Sequence, residues 1–140
     1  QKPSSLITAK LFGDPTINNF NVSVTHHQEN LLIENNGEKI KLQRKQDIED
    51  GEYIVGIRPE DIILSNSPAE ESINVEFRTK TPLNLRIVYL IRLQNGLELL
   101  CSMNEEESKL INEKDQLYIL FKPDKSLFFD LETKKNIENV

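Results

Sequence analysis

Few side chains in this sequence have both the type and the spacing that catalysis or metal binding requires. The two histidines, His26 and His27, are adjacent, so on a strand they would point to opposite faces and could not ligate one metal without a bulge. The single cysteine, Cys101, alternates with Leu99 and Met103. A reactive thiolate needs an electropositive and partly exposed setting, so this apolar pattern favours a buried thiol. We interpret the histidines as solvated loop residues and the cysteine as inert.

The carboxylates and glycines are also poorly arranged for chemistry. The run Glu105-Glu106-Glu107 diverges around a helix or strand and lacks the spacing of a calcium loop. For the pairs Glu60-Asp61 and Glu70-Glu71, nothing in the sequence fixes the distance between carboxylates that acid/base catalysis would require. The five glycines are scattered singly, and neither a P-loop nor a dinucleotide fingerprint occurs. We therefore expect no catalytic residue, no cofactor and no metal in this segment, which is not predicted to be an enzyme.

The charge balance argues against nucleic acid as a partner. The 140 residues carry a net charge of −6, and 6% are aromatic with no tryptophan. A strand-binding OB fold needs a basic groove with aromatic platforms, so we rank that function last. The one basic stretch, residues 39–45, is interpreted as a solvated strand edge, with a partner contact as the alternative. The short apolar runs predict no membrane insertion, and the single cysteine fits a cytoplasmic location.

The elements that must position these side chains are predicted to be strands. Apolar residues recur at every second place over most of residues 18–130, with turn signals every 8 to 12 residues, which is typical of an all-β barrel or sandwich. Asn35-Asn36-Gly37 predicts a tight turn between the second and third strands, the third at Ile40 to Leu42. The pattern predicts a long hairpin across Asn95-Gly96 with a type I′ turn. Its core-facing residues are expected to be Ile87, Tyr89, Ile91, Leu97, Leu99 and Cys101.

The chain has one region that resembles a junction and one that resembles a linker. Residues 1–17 begin as a short capped helix that is closed by Gly13 and stopped by Pro15. Residues 18–140 are then expected to form one β domain. Its most linker-like part, near residues 66–72, is compatible with two intertwined small barrels.

Three segments carry a family resemblance. The central EYIVGIRPEDIIL at residues 52–64 resembles the GIRPE signature in the C-terminal regulatory part of ABC importer ATPase subunits of the maltose and multiple-sugar type. The opening KPSSLITAKLFGDPTINNFNVSV is similar to that family's segment after the ATPase core. The closing SLFFDLETKKNI resembles its terminal segment. The motifs occur in the family's order and spacing.

The resemblance implies a fold, a role and a set of residues. It implies an OB-like or TOBE β-barrel arrangement that is not catalytic and acts through protein contacts with its own ATPase core, with a second copy of the subunit and with a regulatory protein. The core would precede residue 1, and the location would be the inner face of the cell membrane. The alternative is a TOBE-type sensor for a small oxyanion or metabolite. The implied structural or regulatory residues are Gly56, Ile57, Arg58, Pro59, Glu60, Asp61, Phe129 and Asp130.

The sequence departs from the family pattern at Lys80 to Asn84 and at Lys134, where a glycine is usual. Arg58 precedes a proline, which favours extended or turn backbone. Its guanidinium suits a bidentate carboxylate partner. We expect either a structural ion pair or recognition of a partner or ligand at this position.

Overall fold

The protein is an all-β chain built from two antiparallel sheets of five strands each. The computed structural model describes residues 17–27, 30–42 and 48–131. Strands make up 58% of these residues, which confirms the predicted fold class. The elements in chain order are β1 (Asn18–His27), β2 (Asn30–Asn35), β3 (Glu38–Lys39), β4 (Gly51–Ile57), a 3₁₀ helix (Pro59–Asp61), β5 (Ile62–Ser65), β6 (Ile73–Leu83), β7 (Arg86–Leu93), β8 (Glu98–Met103), α1 (Glu105–Ser108), β9 (Leu117–Phe121) and β10 (Leu127–Asp130).

The first sheet has the strand order β10-β4-β1-β2-β3. The β2–β3 turn has positive φ angles at Asn36 (44°) and Gly37 (87°), as a two-residue hairpin loop requires. The third strand is shorter and earlier than predicted, because only Asn35 and Glu34 pair with it. Ile40 lies beyond the strand but is buried, and its N–H donates to the Ile33 carbonyl at 2.8 Å.

The second sheet has the order β5-β9-β6-β7-β8 and contains the predicted long hairpin. The register pairs Tyr89 with Cys101 and Ile91 with Leu99. All four side chains are at most 1% exposed. Ile87 and Leu97 are partly buried against the same core. The predicted inward face of the hairpin is therefore confirmed.

The predicted type I′ turn at Asn95-Gly96 is wrong. The Gly96 N–H donates to the Leu93 carbonyl at 3.0 Å and the Leu93 N–H donates to the Leu97 carbonyl at 2.8 Å, which makes a three-residue loop. Gly96 has a φ of 96°, whereas Asn95 does not have positive φ. This is the glycine position of a type I turn followed by a bulge. The Asn95 side chain is bound at both ends: its amide nitrogen donates to Asn35 at 2.6 and 2.7 Å, and its oxygen accepts from the Leu97 N–H at 3.0 Å within the loop.

One hydrophobic cluster fills the space between the sheets. The alternation at Phe20, Val22 and Val24 in β1 supplies one side of this core, and all three are at most 5% exposed. Tyr89 and Ile119 in the second sheet are fully buried on the other side. The two halves of the chain therefore share their buried surface.

The chain changes sheets at the 3₁₀ helix, between β4 and β5, and returns to the first sheet with β10. The linker-like stretch at residues 66–72 joins β5 to β6 within the second sheet. The proposed division into two barrels near that stretch stays a prediction. The predicted N-terminal helical turn and the junction up to residue 16 lie outside the described residues.

Candidate interaction surface

The signature turn links the two sheets. Gly56 and Ile57 end β4 and are buried, and Pro59 is buried at the first position of the 3₁₀ helix. A proline fits there because that position has no intrahelical partner for an N–H. Asp61 is half-buried, and its carboxylate lies 4.0 Å from the ammonium group of Lys122, the residue that follows β9. The Lys122 N–H also donates to the Asp61 carbonyl at 3.0 Å, so this turn is tied to the second sheet.

Arg58 is the exposed member of the turn, and Glu60 is half-buried. Arg58 is exposed and has an extended backbone (φ −75°, ψ 148°), as its position before a proline predicts. It forms no ion pair with any residue of the described ranges, so the structural ion pair expected there is not found. Glu60 lines a groove on the surface. These two side chains are available to a partner.

The C-terminal motif lies beside the central one. In the β10–β4 ladder, Leu127 pairs with Gly56 and Phe129 pairs with Ile54. Phe128 is fully buried, while Phe129 and Asp130, the last two residues of β10, are half-buried. The described end of the opening family segment lies in β1, which pairs with the other side of β4, so the structure brings all three family segments together. Phe128 supplies the core contact of the closing segment.

The other candidate residues do not form a chemical site. His26 and His27 end strand β1, so the expected loop location is wrong, and His26 contacts the Asp50 carboxylate. In α1 only Glu107 takes part in the capping box, in which the Asn104 side chain accepts from the Glu107 N–H at 2.8 Å and the Glu107 carboxylate accepts from the Asn104 N–H at 3.0 Å. Glu70 and Glu71 are exposed loop residues, and Lys39 lies on edge strand β3 as expected. No cluster of three His, Cys, Asp or Glu side chains able to hold a metal occurs in the described part of the chain.

Cys101 is expected to resist alkylation in the native protein. It is fully buried, and desolvation raises the pKa of its thiol to about 12. The unfolded thiol titrates near its ordinary pKa of about 8.5, so the folded state holds its proton more tightly. The stability contribution of the protonated thiol is complete below the unfolded pKa and is lost as pH rises toward 12. The rate at which iodoacetamide labels Cys101 in the native protein at pH 8 should be limited by the rate of unfolding. Rapid labelling without denaturant would contradict the β8 register.

A groove of about 620 Å³ opens beside the signature turn. Its walls come from the 3₁₀ helix, β5, the end of β8, and the segment that follows α1. Two large apolar side chains are exposed there, Ile63 at 43% and Leu110 at 82%. Glu60 and Glu107 supply carboxylates, while Arg86 and Lys122 supply cations. The mixture of exposed apolar groups and a charged rim is typical of a protein-contact surface.

The tip of the β6–β7 hairpin flanks this groove. Leu83 pairs with Arg86 across the tip, and Leu85 lies in the connecting turn. Leu83 is 50% exposed and Leu85 is 92% exposed, so Leu85 does not continue the inward alternation that its place in the sequence suggested. Arg86 is held in place because its guanidinium donates to the Ser102 carbonyl and hydroxyl, each at 2.9 Å.

Two asparagines join the sheets through hydrogen bonds that the sequence analysis did not predict, although it placed Asn35 at the start of a tight turn. The buried Asn18 amide donates to the Leu100 carbonyl at 2.9 Å and accepts from the Leu100 N–H at 2.7 Å. Asn35, also buried, donates to the Asn21 carbonyl at 2.6 Å and accepts from Asn95. Both contacts join residues that are distant in the sequence. The signal that could have found Asn18 was its place in the opening family segment.

Comparison with known proteins gives a structural match and no sequence match. No family model and no curated protein matches the sequence. A crystal structure of the cytoplasmic molybdate-binding protein ModG with molybdate bound superposes with a TM-score of 0.61. The match covers 79% of this chain and 94% of that chain at 15% identity. The fold is TOBE-like. At this identity the likeness is one of fold, and the TOBE-like arrangement agrees with the OB-type barrel expected from the sequence.

No helix in the described ranges has the length and apolar character needed to cross a membrane.

Proposed function

We propose that this chain is a non-catalytic regulatory and dimerisation domain of the ATP-binding subunit of a sugar-type ABC importer, at the cytoplasmic face of the membrane. Its partners would be its own ATPase core, a second copy of the subunit and a regulatory protein. The observation that carries the proposal is the groove at the signature turn, where Ile63 and Leu110 are exposed beside Glu60. Exposed apolar groups with a polar rim favour protein contact over chemistry.

The rest of the architecture supports the same role. The buried amide of Asn18 and the buried end of β4 make a rigid scaffold on which the groove and the exposed Arg58 are presented. Loops positioned by a rigid scaffold are where binding residues concentrate. A protein bound across this surface would bias how far two ATPase cores separate, which changes transport through a domain equilibrium.

The test measures binding by the full 140-residue chain to two probes. Titration with Mg-ATP in a calorimeter should give no binding heat, because phosphate binding needs a glycine-rich loop or a basic patch. Interferometry against the ATPase core of a maltose-type importer, purified without its own C-terminal domain, should show binding. Glu60→Ala should weaken this binding, while Glu70→Ala should leave it unchanged. Micromolar ATP affinity, or no binding to the core, would refute the proposal.

The second candidate is a sensor for a small oxyanion. The TOBE-like fold shared with a molybdate-binding protein favours it. The groove itself opposes it, since Arg86 is already bound to Ser102 and two carboxylates line the same space. A ligand that binds only the folded state raises the melting temperature. Addition of sodium molybdate should leave the melting temperature unchanged under the leading proposal, and a saturable rise would establish the sensor function instead.

A further inference from the structure

The part of the second sheet formed by β6, β7 and β8 has an apolar outer face. Strand β7 contains five apolar residues in succession. Tyr89 and Ile91 are fully buried in the core. Because successive side chains of a strand alternate, Val88 and Leu90 point to the opposite side of the sheet. Leu100 of β8 pairs with Leu90 and continues the same row.

These three outward residues, Val88, Leu90 and Leu100, form an outer cluster. They are half-buried and are not among the residues that form the core or pack against it. An antiparallel strand with one solvated face commonly alternates apolar and polar residues, whereas a continuous apolar run is typical of a strand that is covered on both faces. The composition of β7 therefore indicates that its outer face is covered.

Polar groups close this outer face at both ends. Next to the hairpin tip, Arg86 donates to the hydroxyl and the carbonyl of Ser102, each at 2.9 Å. At the other end, the Glu98 carboxylate lies 3.7 Å from Arg92 and 4.0 Å from Arg78. An apolar centre with a polar rim is the usual composition of a contact surface. The apolar centre is small, so a short segment is enough to cover it.

The strand that opens the described part of the chain begins beside this face. The Asn18 side chain bonds to both backbone groups of Leu100, at 2.7 and 2.9 Å. β8 is the last strand of its sheet, so the residues that precede β1 leave the fold at the edge of the outer face. Neighbouring strands are about 4.8 Å apart, which makes the face from β8 to β6 only about 10 Å wide.

The segment that precedes β1 has both the composition and the reach to cover the outer cluster. Residues 1–16 include four large apolar residues, Leu6, Ile7, Leu11 and Phe12. Phe12 is five residues before residue 17, and an extended chain of that length spans about 17 Å. A segment tethered beside its site has an effective concentration in the millimolar range, which favours it over a separate partner.

We propose that the segment preceding β1 folds back over this outer face and packs its Leu11 and Phe12 side chains on the outer cluster. Residues 11–17 then belong to the β domain, and side-chain packing fixes the direction in which the chain enters it. The inference concerns a different surface from the groove at the signature turn, which the proposed function gives to the ATPase core.

The experiment places a fluorescent reporter in the segment. The chain contains no tryptophan, so Phe12→Trp introduces a single indole whose emission reports its surroundings. In the folded full chain the emission should be blue-shifted, and the acrylamide quenching constant several-fold smaller, relative to the chain in urea. Adding Leu90→Asp should reverse both changes, because an unpaired carboxylate resists burial. Adding Leu127→Asp, on β10 of the other sheet, should reverse neither. Circular dichroism shows whether each variant folds.

Disulfide formation is a second measurement, and it leaves the outer cluster intact. Lys10→Cys is combined either with Thr79→Cys, which lies beside the outer cluster on β6, or with Leu127→Cys on β10. β10 is two strands away from β1 and β6 is three, so an undocked segment would react at least as fast with Leu127→Cys. A docked segment should react faster with Thr79→Cys. The native Cys101 is fully buried and does not compete.

Three results would overturn the inference: an indole that is quenched in the folded chain as it is in urea, a blue shift that the folded Leu90→Asp variant retains, or disulfide formation that is no faster with Thr79→Cys than with Leu127→Cys. A blue shift that grows with protein concentration would also overturn it, because the cover would then come from a second copy. None of these measurements uses an ATPase core, Mg-ATP or molybdate, so their outcome is independent of the proposed function.

Discussion

Replacement of Phe128 by alanine is expected to lower the free energy of unfolding by about 3–5 kcal/mol, the usual cost of removing a large buried aromatic side chain. Phe128 is fully buried and meets the Tyr53 ring edge-to-face, with centroids 6.0 Å apart and an interplanar angle of 76°. It lies in β10, the strand that returns the chain from the second sheet to β4. Loss of the ring therefore leaves a cavity and loosens the closing strand. Urea denaturation followed by circular dichroism measures the change.

The adjacent phenylalanine is the matched control. Phe129 is half-buried and, because successive side chains of a strand alternate, points away from Phe128. Phe129→Ala should cost less than about half as much, in proportion to the smaller apolar area that it buries. Equal losses at the two positions, or a larger loss at Phe129, would show that the register of β10 differs by one residue.

Replacement of Asn18 by leucine is expected to cost about 2–4 kcal/mol of unfolding free energy. The substitution keeps the branching and the number of non-hydrogen atoms in the side chain but leaves the N–H and the carbonyl of the half-buried Leu100 without their partner. Each unpaired buried group costs about 1–3 kcal/mol. The contact also joins β1 of the first sheet to β8 of the second. Urea denaturation again gives the value.

The control for Asn18 is the same substitution three residues along the strand. The Asn21 side chain is exposed, and only its backbone carbonyl serves Asn35. Asn21→Leu should change the stability by no more than about 0.5 kcal/mol, as is usual for surface positions. Comparable losses at both sites would mean that the effect comes from strand propensity and not from the inter-sheet hydrogen bonds.

The alternation of apolar residues was enough to predict which hairpin residues face the core. Tyr89, Ile91, Leu99 and Cys101 are buried as expected, because a strand has only two faces and a one-residue slip would expose the whole set. The turn in the same hairpin was not predicted correctly. Asn-Gly favours a type I′ turn locally, but the Asn95 amide is used by Asn35, 60 residues away in the sequence. A contact of that range has no local signal.

The sequence by itself determined the all-β class, the inward face of the hairpin formed by β7 and β8, and the buried thiol, since each follows from local period or composition. Tertiary structure alone decided which strands share a sheet, so Phe128, and not its neighbour in the family motif, became the core residue of β10. It also gave Asn18 its partner and brought Ile63 and Leu110 into one groove. Polar pairs and exposed patches of this kind join residues far apart in the chain, and the local periodicity of a sequence does not determine which distant residues come into contact.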